Sequence, residues 1–170
     1  ENANHILKKV LEDIAQEPMV RHEAAEALGA IGTPSSLEIL EKYKNDPVIE
    51  VAETCQLALN RIKWLGNPDN IKTAPNPYNS VDPAPPCSDK TVDELKSILL
   101  DENECLFTRY RAMFALRNMR SNQAVLALSA GLTCGSALFR HEVAFVLGQL
   151  QDEASVPYLK QALENVTENE

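Results

Sequence analysis

An all-α solenoid of helical hairpins, in two halves joined by a Pro-rich linker, is the fold this 170-residue sequence predicts. Three observations predict it. A twelve-residue pattern recurs at fixed steps, a stretch with apolar residues at helical spacing precedes each recurrence, and six of the ten prolines gather between the second and third copies. The pattern reads VRHEAAEALGAI at 20–31, VAETCQLALNRI at 51–62, TRYRAMFALRNM at 108–119 and FRHEVAFVLGQL at 139–150. Leucine holds the ninth position of every copy, as Leu28, Leu59, Leu116 and Leu147. The steps are 31, 57 and 31 residues, so the middle step is one unit plus an insertion of 26. A fixed period of this length is the signature of a repeat architecture, in which each unit buries its apolar face only against its neighbours.

Each copy is the second helix of a hairpin. ILKKVLEDI precedes the first, SLEILEKYK the second, VDELKSILL the third and AVLALSAGL the fourth. Leu7, Val10, Leu11 and Ile14 recur at intervals of three and four, giving one buried stripe. Thr33-Pro34 reads as an N-cap followed by proline in the first helical turn. Pro18 and Pro47 fall in the short turns between paired helices. Two helices in about 31 residues make a HEAT-like unit. Gly29 and Gly148 are expected where neighbouring helices approach closely, and Cys55 as a small buried hydrophobe.

The boundaries follow. Residues 1–65 form two hairpins of the first half, 66–90 the Pro-rich linker without helical period, and 91–170 two hairpins and a lone outer helix of the second half. Each half carries seven basic and eleven acidic residues. The last stretch, YLKQALENVTENE (158–170), aligns with ILKKVLEDIAQEP (6–18), where MVRHE comes next. The expectation is therefore a piece of a longer protein cut inside a repeat, with an uncovered apolar stripe over 158–166 that invites self-association of the truncated chain.

Composition narrows the function classes. Aromatics are 5% of the chain and the net charge is −9, which argues against nucleic acid and against an anionic membrane as partner. Cys55, Cys87, Cys105 and Cys134 form no CxxC pair and no zinc spacing, so a reducing, cytoplasmic setting is expected. No apolar run approaches the roughly 18 residues that span a bilayer.

Two of the three histidines sit in the same Arg-His-Glu triplet at the same register, His22-Glu23 and His141-Glu142. Between 21–31 and 140–150, six of eleven positions agree. Neighbours on a helix point about 100° apart, so one His-Glu pair closes no site alone. Two readings stand side by side. The triplets are a polar rung tied by salt bridges, or they supply imidazole and carboxylate ligands converging from different helices, a donor set suited to iron or manganese. Glu53, and Tyr110 with Arg111, occupy the register in the other two copies and read as packing and ion-pair positions.

PMVRHEAAEALGAIG, DPVIEVAETCQLALNRI, NPYNSVDPAPP, RYRAMFALRN and LFRHEVAFVLGQLQ, taken together and in this order, closely resemble the deoxyhypusine hydroxylase family. The resemblance implies a HEAT-like protein of two halves with four hairpins each. It implies a monooxygenase that uses dioxygen to hydroxylate deoxyhypusine on a translation factor, completing hypusine. It implies two Fe(2+) per intact protein, held by four His-Glu pairs, with no catalytic residue assigned beyond those ligands. Two of the pairs match His22-Glu23 and His141-Glu142. The others would lie before residue 1 and after Glu170, so the chain alone is expected to bind metal weakly and not to turn over. The alternatives are a non-enzymatic HEAT-repeat scaffold that binds a protein, and a relative of chromophore lyases.

Overall fold

The computed structural model describes residues 2–71 and 76–167. Among them are nine α-helices and no strand. Consecutive helices pack together: α1 (Asn2–Glu12) with α2 (Pro18–Ile31), α3 (Leu37–Tyr43) with α4 (Ile49–Leu65), α5 (Val92–Leu100) with α6 (Leu106–Met119), and α7 (Asn122–Ser129) with α8 (Ala137–Leu150). The ninth, α9 (Val156–Glu164), follows α8. The fold is an all-α HEAT-like solenoid. One compact unit holds α1 to α4 and takes in Val81–Pro85, and a second holds α5 to α9 and takes in residues 76–80.

The helix ends follow local chemistry. Pro18 is the first residue of α2 rather than a turn residue, where its missing N–H costs nothing. Gly32 closes α2 in the left-handed region at φ 73°, its N–H bonded to the Leu28 carbonyl. Thr91 caps α5 in a reciprocal box with Glu94. The Ser121 and Ser136 hydroxyls cap α7 and α8 by accepting from Ala124 and Phe139 N–H. Thr33 holds the expected N-cap position, with Pro34 opening the 3-10 turn Pro34–Ser36. Its side chain makes no cap bond to that turn, and its hydroxyl accepts from Asn4 Nδ2 on α1 at 2.6 Å.

The repeat leucines Leu28, Leu59, Leu116 and Leu147 are all buried, so the register read from the sequence is the core register. In the first unit they pack with Leu11, Ala24, Ala25, Leu40, Val51, Cys55 and Ile62. Cys55 is fully enclosed, and burial pushes its thiol up to about 12. Gly29 meets α4 closely. A Cβ there would stand 2.7 Å from Ala58 Cβ and 2.9 Å from Ala58 Cα. Gly148 does not share this role, since a Cβ there meets nothing within 4 Å. The helix that crowds Gly29 is α4, of the next hairpin. On α9 no residue is buried and Leu163 is 88% exposed, so the expected uncovered stripe is present.

Part of the linker is fastened to the second unit. Arg117, fully buried, donates to Asn76 Oδ1 (3.1 Å), Ser80 Oγ (3.4 Å) and Gln149 Oε1 (3.1 Å). Its guanidinium lies 4.5 Å from the Tyr78 ring centroid, and that of Arg120 lies 4.7 Å from the same ring. In the first unit, Arg61 Nε donates to the Asp82 carbonyl, and Ala84 is fully buried.

Candidate functional site

The first His-Glu pair sits one residue beyond an anchored arginine. Arg21 Nε donates to the Leu11 carbonyl at the end of α1 (3.0 Å). Its two terminal nitrogens reach Asp46 Oδ1 (3.3 Å) and Oδ2 (2.6 Å) in the turn before α4. Arg109 repeats the device on α6, donating to the Leu99 carbonyl (3.0 Å) and lying 3.5 Å from Cys134 Sγ. Both arginines therefore reach ten residues back and 25 forward. Each fixes the first turn of an inner helix and so sets which way the following side chain points.

That following side chain is His22 on α2, only 7% exposed. Its Nδ1 is 2.6 Å from Thr54 Oγ1 on α4, and the Thr54 hydroxyl donates to the Glu50 carbonyl at 2.7 Å. His22 Nε2 lies 3.7 Å from Glu26 Oε2, one helical turn on. Glu23 itself is exposed. Burial, followed by the neighbouring Glu23 charge, pushes the Glu26 carboxyl above its usual range. The imidazole thus lies beside Glu26, whose carboxyl in turn feels the charge of Glu23.

In the second unit His141 on α8 is exposed and Glu142 half-buried. The preceding Arg140 donates to the Gly135 carbonyl at 2.7 Å, just before the helix starts. On α6 the register of the histidine is filled by Tyr110, which is buried against Phe114 and Phe139 at centroid distances of 6.3 and 5.7 Å. Packing accounts for that residue. The four candidate ligands are divided two and two between the units. Among the described residues, no group of three or more His, Cys, Asp or Glu side chains is placed to hold a metal. Two neighbours of His22 were missed by sequence reasoning, yet both left a signal. Thr54 stands one 31-residue period after Glu23, and Glu26 stands four residues after His22.

Comparison with known proteins gives a consistent result. The family model of HEAT repeats matches residues 1–60, and that of the PBS lyase HEAT-like repeat matches 108–134 and 139–165. The chain is similar to the deoxyhypusine hydroxylases of Drosophila melanogaster (61% identical, 97% of this chain and 55% of the relative) and Danio rerio (62%, 99% and 56%). That of Homo sapiens is 62% identical over 96% of this chain and 54% of the relative. The solved structure of human deoxyhypusine hydroxylase in complex with glycerol superposes with a TM-score of 0.93 at 61% identity, over 99% of this chain and 58% of that one. The chain spans about half the length of the curated relatives it matches.

Proposed function

This chain belongs to the deoxyhypusine hydroxylase family, and from that premise we propose that a protein of the relatives' full length hydroxylates the deoxyhypusine side chain of a translation factor at a non-haem centre of two Fe(2+). His22 and Glu23, with His141 and Glu142, are the ligands this chain would contribute.

The supporting observation is the setting of His22. A buried imidazole stands beside Glu26, and Glu23 adds a second negative charge close enough to push the Glu26 carboxyl up. A cation relieves that crowding. Imidazole nitrogen with carboxylate oxygen is also a donor set suited to divalent iron. The residues fit the metal, as a partial set in each unit.

Iron, when bound, supplies the activation of dioxygen that lets an oxygen atom enter a C–H bond of the amine side chain. The protein's own residues do the rest. His22 with Glu23, and His141 with Glu142, would each supply imidazole nitrogen and carboxylate oxygen to the iron. Arg21 pins the first turn of α2, so that His22 is presented from a fixed helix end. A net charge of −9 raises the local concentration of a cationic, amine-bearing substrate. We place this activity in the cytoplasm, where cysteines remain reduced; all four here are free. No helix among the described residues is long and apolar enough to cross a membrane.

The test is to make His22→Ala and His141→Ala separately in a full-length protein, then measure bound iron and dioxygen-dependent hydroxylation. Each substitution is expected to lower both. Full iron content and turnover in both variants would refute these residues as ligands, whereas an unsubstituted protein with neither iron nor turnover would refute the activity and leave the protein-binding scaffold in its place.

A further inference from the structure

Thr54 lies in no His-Glu pair, yet its hydroxyl decides the protonation pattern of the imidazole it touches. Thr54 Oγ1 has one proton and two short contacts, 2.7 Å to the Glu50 carbonyl oxygen and 2.6 Å to His22 Nδ1. A carbonyl oxygen only accepts, so the proton between Oγ1 and the Glu50 oxygen comes from the hydroxyl. The contact to His22 then needs its own proton, and only Nδ1 is left to supply it. In the neutral ring the lone pair therefore lies on Nε2, the nitrogen turned toward Glu26 Oε2. The opposite assignment would leave two acceptor oxygens facing each other at 2.7 Å with no proton between them.

We propose that Thr54 is a positioning residue for His22: its hydroxyl, committed to the Glu50 carbonyl, holds the imidazole as the Nδ1–H tautomer and presents Nε2 as the metal-binding nitrogen. The inference rests on reading His22 as a ligand. Orienting partners of this kind set ring tautomer and metal affinity, and their removal typically weakens binding about 10- to 100-fold. Thr54 is well placed for it, since it is buried, lies in the second turn of α4, and sits one repeat period beyond Glu23.

The experiment uses the 170-residue chain. Thr54→Val keeps the shape and removes the hydroxyl, Thr54→Ser restores the hydroxyl, and Thr54→Ala is a second hydroxyl-free variant should valine disturb folding. The first readout is the ¹⁵N–¹H correlation pattern of the metal-free His22 ring. The wild type and Thr54→Ser are expected to show a single Nδ1–H form, and the hydroxyl-free variants a mixture or the Nε2–H form. The second is paramagnetic broadening of the His22 ring signals during anaerobic Fe(II) titration. The hydroxyl-free variants are expected to need about tenfold more Fe(II) or beyond, and Thr54→Ser to stay near wild type. A wild-type ring protonated at Nε2, or a Thr54→Val ring unchanged from wild type, overturns the proposal. So does a changed tautomer with unchanged Fe(II) affinity. Fe(II) binding elsewhere in the chain that leaves the His22 signals sharp, with the Nδ1–H form intact, would instead show that the ligand reading has failed, and the positioning role with it.

Discussion

Replacing Asp46 with alanine removes the acceptor of both terminal nitrogens of Arg21, and the site gives water little access for compensation. The two side chains are 4% and 3% exposed and meet at 2.6 Å. Breaking a buried ion pair from one side costs about 3–5 kcal/mol, because the other charge is left enclosed. Arg21 keeps its bond to the Leu11 carbonyl and its place 5.4 Å from the centre of the Tyr43 ring, so the low end of that range applies. Val48 N–H also loses its acceptor, Asp46 Oδ1 at 2.9 Å, worth about 1 kcal/mol. The sum is about 4 kcal/mol, which lowers a urea midpoint by about 2 M at a slope of about 2 kcal/mol/M. Trp64, the single tryptophan, lies on α4 in the same unit and reports the transition by fluorescence. The pH dependence has a definite sign. Burial alone would raise the Asp46 carboxyl, but the Arg21 hydrogen bonds, the Val48 N–H and the Arg21 charge together hold it below its ordinary value. Its stabilisation is then complete above the unfolded value of about 3.9 and is lost as pH falls through the folded value. Asp46→Asn should lack that acid-sensitive part. A midpoint shift under about 0.5 M for Asp46→Ala, or an unchanged acid profile for Asp46→Asn, would refute the reasoning.

Gly29→Ala should destabilise by about 1–3 kcal/mol, because the new methyl meets the backbone of α4, whereas Gly148→Ala should gain up to about 1 kcal/mol of helix propensity; thermal melts of the two variants check the opposite signs. Arg117→Ala leaves Asn76, Ser80 and Gln149 without their shared donor and should speed proteolytic cleavage within 76–80, read by limited digestion and mass spectrometry. Metal analysis of the isolated 170-residue chain should find little iron, since its three histidines include only two in His-Glu pairs; two tightly held irons with turnover would refute this. Leu163→Glu should reduce concentration-dependent association in light scattering, and a strict monomer for the unsubstituted chain at high concentration would dispose of self-association through α9.

Hairpin order and core register were legible because leucines at a constant position can only be the buried stripe of repeated helices, and all four are buried. Thr33 was legible as an N-cap position before Pro34, but its hydroxyl bond to the Asn4 amide 29 residues away is a contact that no local cap rule contains. Gly148 misled because register alone does not record close approach: α4 crowds Gly29, while nothing stands within 4 Å of a Cβ at Gly148. The His-Glu pairs stood out as triplets, but Thr54 did not. Its meaning depends on a proton shared across two helices, and helix periodicity carries no record of that.

The reach of Arg21 and Arg109 also bears on how the molecule comes apart. From the carbonyl ten residues behind to the acceptor 25 ahead, each arginine spans 35 residues, longer than the 31-residue period. No hairpin so stitched can fray without loosening the turn that leads into the next, so hydrogen exchange should find α1 to α4 opening as one block, and α5 to α8 as another.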